Sequence, residues 1–253
     1  MLRFYYVIVM RIGSILHFVP KMRRYAAHPE RYSEEDCHRL CKIMIRKVAR
    51  TARTTTAHYG TENLPREGGY ILYANHQGKY DALGIMGGHP RPCRVLMDLD
   101  RSKMPIANEY VSLVRGKRLD RHNVRRQVVC LREIAEEVRE GKIYLIFPEG
   151  GYAKHQTNRM GEFRGGCFKA ASLSGRPIVP VALIDSYKPF GERGMKPVHT
   201  QVHFLPPIPY EAFAHLTTPE IAHMVQSRIA AHMEGVLGES VWEESKSSRA
   251  VGE

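Results

Sequence analysis

The sequence predicts an α/β fold with a mixed, mostly parallel central sheet flanked by helices. Short apolar runs, such as YILYA, KIYLIF and PIVPVALI, alternate along the chain with amphipathic stretches of helical period. Polar motifs follow directly after these runs, where strands of α/β sheets end and ligands usually bind. The hydrophobic fraction, 43% of 253 residues, is sufficient for a sizeable core.

Residues 1–54 form the first predicted unit, an N-terminal helical module that is both apolar and basic. Its apolar stretch is interrupted by Arg3 and Arg11, whereas a spanning helix needs about 20 mostly apolar residues. The first 60 residues contain twelve Lys and Arg against four Asp and Glu. We therefore predict two helices, joined near Pro29, that lie in the membrane interface without a cleaved signal peptide. A core helix of a soluble protein is the alternative.

Residues 55–238 form the main predicted domain, and the polar tail over residues 239–253 is expected to fray. The second helix of the module begins at Ser33, because Ser33 and Asp36 match a capping box. Further strands are predicted at 54–60, 70–74, 93–98, 142–147, 177–184 and 200–208, and further helices at 82–90, 125–141, 168–175 and 218–238. In the helix over 125–141, the residues expected to face the core are Val128, Val129, Leu131, Ile134 and Val138.

Composition and the missing motifs narrow the function classes. The formal net charge of +12 indicates an anionic partner, which is nucleic acid, an acidic membrane or a phosphorylated substrate. Five scattered cysteines without a C-x-x-C pair argue against a zinc ribbon and suit a reducing compartment. Neither a G-x-S-x-G elbow nor H-E-x-x-H is present, so a covalent serine hydrolase or a zinc protease is not expected.

His76 and Asp81 lie five residues apart in NHQGKYD, directly after the apolar run over 70–74. On a strand–loop–helix turn, this spacing lets the carboxylate reach an imidazole nitrogen. Such a contact fixes the tautomer and raises the basicity of the other nitrogen. The pair therefore predicts a general base for a hydroxyl or thiol proton. A chance occurrence is the alternative for this pair taken alone.

Two further motifs suit an anionic ligand. In YLIFPEGGYAKH, residues 144–155, glycines after the strand let backbone amides approach an anion, and Glu149 can accept hydrogen bonds from substrate hydroxyls. In VRGKRLDRHNVRR, residues 114–126, the many basic side chains suit a phosphate clamp. A nucleic-acid patch is the alternative for this second motif, although it lacks interleaved aromatic residues.

Four motifs taken together resemble the glycerolipid acyltransferase family, typified by 1-acylglycerol-3-phosphate acyltransferases. In that family an N-H-x4-D block, a G…D-R block, an F-P-E-G block and a V-P-V block follow one another. Here the blocks are Asn75–Asp81, Gly116–Arg121, Phe147–Gly150 and Val179–Val181. The resemblance covers about residues 55–210.

The resemblance implies direct acyl transfer from acyl-CoA or an acyl carrier protein to the free hydroxyl of lysophosphatidate. His76 would act as the base and Asp81 would orient it, with no covalent acyl-enzyme, no metal and no cofactor besides the thioester co-substrate. Backbone amides near the first block would stabilise the oxyanion. The implied substrate-binding residues are Asn75, Lys117, Arg118, Arg121, Glu149, Gly150 and Lys154.

Three departures from the family pattern concern the acceptor. Gly78 stands where the family usually has serine, and the second block is one residue shorter than its common form. Gly151 and Tyr152 stand where the family usually has Thr-Arg, so the second phosphate-binding arginine is missing from its place. Lys154 or Arg159 is expected to substitute for it. The alternatives are another lysophospholipid or a non-phosphate acceptor.

The expected partners are therefore a lysophospholipid, a thioester donor and an anionic membrane surface, with no nucleic acid. Because clustered positive charge is attracted to the anionic cytoplasmic leaflet, we expect a peripheral or monotopic protein on the cytoplasmic face of the cell membrane. A non-catalytic basic protein that binds membrane or nucleic acid is the rival interpretation from another class.

Overall fold

A mixed, mostly parallel sheet lies at the centre of the protein. The structure, a computed structural model, describes residues 2–152 and 157–242. The strands are β1 (Thr54–Tyr59), β2 (Tyr70–Ala74), β3 (Arg94–Asp98), β4 (Lys117–Leu119), β5 (Ile143–Ile146), β6 (Ile178–Ile184) and β7 (Val198–Phe204). The helices are α1 (Leu2–Met10), α2 (Ile12–Ala27), α3 (Glu34–Thr51), α4 (Asp81–Gly88), α5 (Leu99–Ser102), α6 (Ala107–Leu113), α7 (Val124–Arg139), α8 (Lys169–Ser174), α9 (Lys188–Gly191) and α10 (Thr218–Leu237).

The strand order across the described part of the sheet is β1–β7–β6–β2–β5–β3–β4. Neighbouring strands are parallel except β6 and β7, which run antiparallel. The central strands β2, β5 and β6 are buried along their whole length, as expected of parallel strands covered on both faces. This arrangement confirms the predicted fold class.

Helices cover both faces of the sheet. On one face, α7, α8 and α10 pack their apolar sides against β2, β5 and β6. On the other face, α2, α3, α4 and α6 contribute to a second apolar cluster with the same strands. Leu40 and Ile45 of α3 belong to this second cluster, so the last helix of the N-terminal module shares a core with the sheet. The predicted domain boundary after residue 54 stays a prediction.

The two predicted N-terminal helices are present, and the structure divides the first of them into α1 and α2, with α3 as the second. The chain bends by 75° between α1 and α2, and α2 then continues through Pro20. No single helix among residues 2–152 and 157–242 is long and apolar enough to cross a membrane; α1 and α2 meet that test only as a bent pair. The predicted capping box of α3 is confirmed, because Ser33 Oγ accepts the Asp36 N–H and the Asp36 carboxylate accepts the Ser33 N–H, both at 3.1 Å.

Two details of the predicted packing are wrong. Val128 and Val129 of α7 are 39% and 53% exposed. At 3.6 residues per turn, Val129 points almost opposite the face that holds Ile134, and Val128 lies at its margin. The expected fraying of the tail also does not apply to Val241, which is 1% exposed and whose carbonyl accepts the Met160 N–H at 2.8 Å. Residues 243–253 lie outside the described residues.

Protonation of buried histidines is expected to destabilise the protein in mild acid. Burial lowers the pKa of His89 from 6.5 to about 4; its Nε2 lies 2.8 Å from Tyr70 Oη and its Nδ1 lies 2.7 Å from the Arg91 carbonyl oxygen. Burial also lowers the pKa of His203 to about 4. Because the unfolded chain binds these protons more readily, the free energy of unfolding should fall as the pH drops from about 6.5 towards 4, by roughly 3 kcal/mol for His89.

Urea unfolding between pH 7.5 and pH 4.5 measures this effect. His89→Gln should flatten the pH dependence even if it lowers stability at neutral pH, because the titrating group is gone. The exposed His223 of α10 provides the control, since His223→Gln should leave the slope unchanged. A free energy of unfolding that stays constant across this range would contradict the expectation.

Candidate active site

His76 and Asp81 form a hydrogen-bonded pair in the loop between β2 and α4. His76 follows the end of β2, and Asp81 is the first residue of α4, so the six-residue loop folds the two side chains together. His76 Nδ1 lies 2.7 Å from Asp81 Oδ2, which confirms that the carboxylate reaches the imidazole. The His76 side chain is 16% exposed, whereas Asp81 is fully buried.

The buried Asp81 carboxylate is fixed by donors from two parts of the chain. Its Oδ2 also accepts the backbone N–H groups of Gln77 at 2.6 Å and Gly78 at 2.8 Å. Its Oδ1 accepts the hydroxyl of Ser186, at 2.7 Å, from the loop after β6. Because a carboxylate only accepts, His76 Nδ1 carries the hydrogen and Nε2 carries the lone pair of the neutral ring. The nitrogen that can accept a proton, Nε2, is therefore the one that does not contact Asp81.

The occupied amides correct the expectation for the oxyanion. Gln77 and Gly78 donate to Asp81, and the His76 N–H donates to Glu149 Oε1 at 2.8 Å. These three amides of the first block therefore hold the loop together, and they do not point at a substrate carbonyl.

Aromatic rings fix the plane of the His76 imidazole. Phe147 stacks on it with ring centroids 4.3 Å apart and an interplanar angle of 23°. Tyr152 contacts it edge-on, with centroids 4.9 Å apart at 90°. Phe147 directly follows β5 and Tyr152 lies five residues later, so the third sequence block supplies two of the rings that surround the base.

Asn75 has a structural role, which corrects its prediction as a substrate-binding residue. It is fully buried, and its side chain accepts the Leu183 N–H at 2.7 Å and donates to the Leu183 carbonyl at 3.0 Å. Gln77 braces the same region, because it donates to the Leu183 carbonyl at 2.8 Å and accepts the Ser186 N–H at 2.8 Å. The two amide side chains therefore join the loop after β2 to the end of β6.

Glu149 and Gly150 lie beside His76, where the third block turns away from β5. Besides the His76 N–H, the Glu149 carboxylate accepts the Gly161 N–H at 3.2 Å, so it ties three segments together while still lining the pocket. Gly150 has a φ of +73°, a conformation that other residues adopt only with strain. A side chain here would also lie 3.4 Å from Arg121 Nη2.

A pocket of about 340 Å³ opens beside His76, and its wall is rich in arginine. Arg101, Arg121, Arg159 and Arg164 line it together with Tyr152. Arginine suits phosphate because its planar fork donates two parallel hydrogen bonds to the oxygens of one anion. The pocket is therefore suited to a phosphate group within reach of the base.

Of the predicted cations that the structure describes, Arg121 and Arg159 line this pocket, whereas Lys117 and Arg118 do not. Arg121 lines the pocket; its Nε lies 2.9 Å from Asp98 Oδ2 and its Nη2 donates to the Gly150 carbonyl. Lys117 pairs instead with Glu133 at 2.7 Å and Glu137 at 3.0 Å on α7. Burial opposes the charge of Lys117, but these hydrogen bonds raise its pKa overall.

Arg118 also faces away from the pocket. Its Nη2 donates to the Asn108 side chain at 2.9 Å and to Ser112 Oγ at 2.8 Å, both on α6. The predictions that Lys117 and Arg118 bind substrate are therefore corrected. Lys154 lies outside the described residues.

Sequence reasoning missed Arg101, Arg164 and Ser186. Arg101 lies on α5, between the first and second blocks, and Arg164 lies between the third and fourth. Ser186 follows β6 and is separated from Asp81 by 105 positions. One signal was present, because residues directly after a strand at the ligand-binding edge of an α/β sheet are candidates, and Ser186 is such a residue.

The described residues include no group of three or more His, Cys, Asp or Glu that could hold a metal ion. A family model described as "Acyltransferase" matches residues 56–184, just over half of the chain. The chain belongs to the acyltransferase family.

The chain is also similar to curated acyltransferases. The chloroplastic 1-acyl-sn-glycerol-3-phosphate acyltransferase BAT2 of Brassica napus is 30% identical over 139 residues, which are 54% of this chain and 40% of that protein. The human 1-acyl-sn-glycerol-3-phosphate acyltransferase alpha is 27% identical over 171 residues, 66% of this chain and 59% of that one. This acyltransferase chain thus spans only about 40–59% of the length of these two relatives.

A solved acyltransferase structure shares the fold. The crystal structure of the 1-acyl-sn-glycerophosphate (LPA) acyltransferase PlsC from Thermotoga maritima aligns with a TM-score of 0.72 and covers 96% of both chains. The sequence identity is 22%, so this likeness concerns the fold.

Proposed function

We propose that this chain transfers a fatty acyl group from an acyl thioester to the free hydroxyl of lysophosphatidate, giving phosphatidate. The observation that carries the proposal is the His76–Asp81 pair, 2.7 Å apart, at the mouth of a pocket lined by four arginines. The names of the curated relatives, which are 1-acyl-sn-glycerol-3-phosphate acyltransferases, support the same acceptor.

The reaction needs only one proton shuttle. His76 Nε2 takes the proton of the acceptor hydroxyl while the oxygen attacks the thioester carbonyl carbon. A C–O bond forms, the tetrahedral intermediate collapses, and the C–S bond breaks. The leaving thiolate takes the proton back from His76, so the products are the ester and the free thiol. Asp81 stabilises the imidazolium and keeps its ring in place throughout.

The pocket explains why a phosphate-bearing acceptor suits this site. The phosphate would lie among the arginines, and its glycerol would extend towards Nε2. Arg121 is held for this role by Asp98 and the Gly150 carbonyl, so its guanidinium loses little freedom on binding. An acceptor without a phosphate would leave this cluster of positive charge uncompensated.

Acyl transfer by the purified full chain in mixed micelles tests the proposal. Labelled acyl-CoA and, in parallel, an acylated carrier protein would serve as donors. The acceptors would be lysophosphatidate, glycerol 3-phosphate, other lysophospholipids and monoacylglycerol, with His76→Ala as the negative control. His76-dependent transfer to lysophosphatidate supports the proposal. Transfer only to acceptors without a terminal phosphate would contradict the substrate and keep the chemistry.

We also propose that α1 and α2 attach the protein to an anionic membrane surface, on the cytoplasmic face. Arg3, Phe4 and Val7 of α1 face the protein; Arg3 Nη2 donates to the Lys196 carbonyl at 2.7 Å, and Phe4 contacts Phe190 edge-on. The opposite side exposes large apolar residues to a degree that is unusual for a surface helix. They are Leu2, Tyr5, Tyr6, Val9, Met10, Ile12 and Leu16, each at least 40% exposed.

Replacing Tyr5, Val9 and Leu16 together by serine is expected to reduce binding to anionic phospholipid vesicles about tenfold or more, because burial of these side chains in the interface drives binding. Co-sedimentation with the vesicles measures this binding. The matched control replaces Val124, Val129 and Val236, which are also exposed but lie on α7 and α10, by serine. Equal vesicle binding by the two triple variants would contradict the membrane role of α1 and α2.

A further inference from the structure

We infer that Arg101 binds the terminal phosphate of the acceptor, in the place of the arginine that the family's third block usually supplies. The inference rests on the proposed function for the identity of the acceptor. Its basis is that the Arg101 guanidinium, from α5, lies against Gly151 and Tyr152, the two positions where that Thr-Arg pair is missing. A residue outside the four blocks thus restores a charge that the blocks lack.

The position of Arg101 is well defined. The backbone of Gly151 lies against this guanidinium, since a Cβ placed at Gly151 would be in ordinary van der Waals contact with Arg101 Nη2, at 3.5 Å. The Arg101 guanidinium carbon lies 5.3 Å from the centre of the Tyr152 ring, within the range of a cation–π contact. Arg101 therefore lies beside the two positions where the Thr-Arg pair is missing, and the Tyr152 ring supports it there.

Asp98 contacts two of the arginines that line the pocket. Its Oδ1 accepts the backbone N–H of Arg101 at 2.9 Å, which starts α5, and its Oδ2 pairs with Arg121 Nε at 2.9 Å. One carboxylate at the end of β3 therefore sets the position of Arg121 from the second block and of Arg101 from α5. Both guanidinium groups line the same pocket.

Arg101 and Arg164 form no ion pair with a carboxylate within the described part of the chain, although both line the pocket. The Arg164 guanidinium carbon lies 3.5 Å from a Cβ placed at Gly150, the same glycine that Arg121 approaches. Like charges gathered around one concave site favour an anion that bridges them.

Tyr152 connects this anion site to the base. Its face carries Arg101 and its edge contacts the His76 imidazole. The ring therefore separates the phosphate-binding guanidinium from the nitrogen that takes the hydroxyl proton. Arg101 and the base are thus joined through one side chain, Tyr152, that contacts both.

Arg101→Gln tests the inference by steady-state kinetics and by direct binding. Loss of one charge-assisted contact should raise KM for lysophosphatidate about 10- to 100-fold while kcat and the KM for the acyl donor change little. Arg101→Lys should give an intermediate KM, because lysine keeps the charge and loses the fork. The matched control is Arg228→Gln, on the exposed side of α10, with the same loss of charge.

A binding measurement with glycerol 3-phosphate, in which the thermal stabilisation of each variant reports binding, does not depend on acyl transfer. Its half-saturating concentration should rise at least tenfold in Arg101→Gln and stay unchanged in Arg228→Gln. Transfer to lysophosphatidate with the same KM in wild type and Arg101→Gln would overturn the inference and leave the proposed function intact. Arg101-dependent binding of glycerol 3-phosphate by a wild-type chain that acylates no phosphate-bearing acceptor would overturn the proposed function and keep the anion site.

Discussion

Replacing Asp81 by asparagine is expected to lower kcat by about 10²- to 10⁴-fold with little change in KM. The amide group keeps the shape of the side chain, but it cannot accept hydrogen bonds from all the groups that donate to the Asp81 carboxylate. Its NH₂ group, if turned towards His76, would favour the tautomer with the hydrogen on Nε2. That nitrogen would then have no lone pair for the hydroxyl proton. Steady-state acyl transfer at saturating donor and acceptor measures the loss.

His76→Ala should lower kcat at least as much, and the double variant should lose little more than His76→Ala alone, because residues that act as a unit are strongly non-additive. Asp100→Asn is the matched control; Asp100 is 62% exposed and pairs with Lys103 on the surface. If the Asp81 and His76 losses multiply in the double variant, the two residues act independently and the mechanism is wrong.

The same network explains what sequence alone could not identify. The contact between His76 and Asp81 could be predicted from their spacing because it is made within one short loop. Ser186 completes the coordination of Asp81 from the end of another strand, and only the pairing of β2 with β6 brings it there. The family resemblance implied a substrate-binding role for Asn75, yet its buried amide serves that same strand pairing.

The basic motif over residues 114–126 shows a related limit. Its composition predicted a phosphate clamp, and Arg121 does line the pocket. Lys117 and Arg118 lie in β4, a three-residue strand without an apolar run, which the sequence pattern did not predict. Their side chains meet acidic and polar groups on α7 and α6. Which cation of a basic run meets an acid and which meets the ligand depends on tertiary packing.

The fold was more predictable than the site. Each buried strand of the sheet interior is an apolar run bounded by turn residues, and α3 carries the start signal predicted from Ser33 and Asp36. The bend after α1 was missed because Arg11 reads as one polar residue within an apolar stretch. In the structure, α1 is instead anchored by Arg3 on Lys196, a contact between residues 193 positions apart.

Replacing Arg94 by methionine is expected to lower the free energy of unfolding by about 3 kcal/mol. Arg94, at the start of β3, is 12% exposed; its Nη2 lies 2.6 Å from Glu34 Oε1 of α3, and its Nη1 donates to Glu137 of α7. Burial opposes the charge of Glu34, but hydrogen bonds from Lys142 and Arg94 lower its pKa overall. Removing Arg94 leaves two half-buried carboxylates with fewer partners, which costs more than the pair itself contributes.

The loss should appear in urea unfolding as a shift of the midpoint with an unchanged slope. Arg39→Met on α3 provides the control, since Arg39 is 73% exposed and its pair with Asp36 is 3.6 Å long; it should change stability by no more than about 0.5 kcal/mol. A double-mutant cycle with Glu34→Gln would isolate the coupling between α3 and β3. Equal effects of Arg94→Met and Arg39→Met would show that the ion pairs of Arg94 contribute nothing to the attachment of α3.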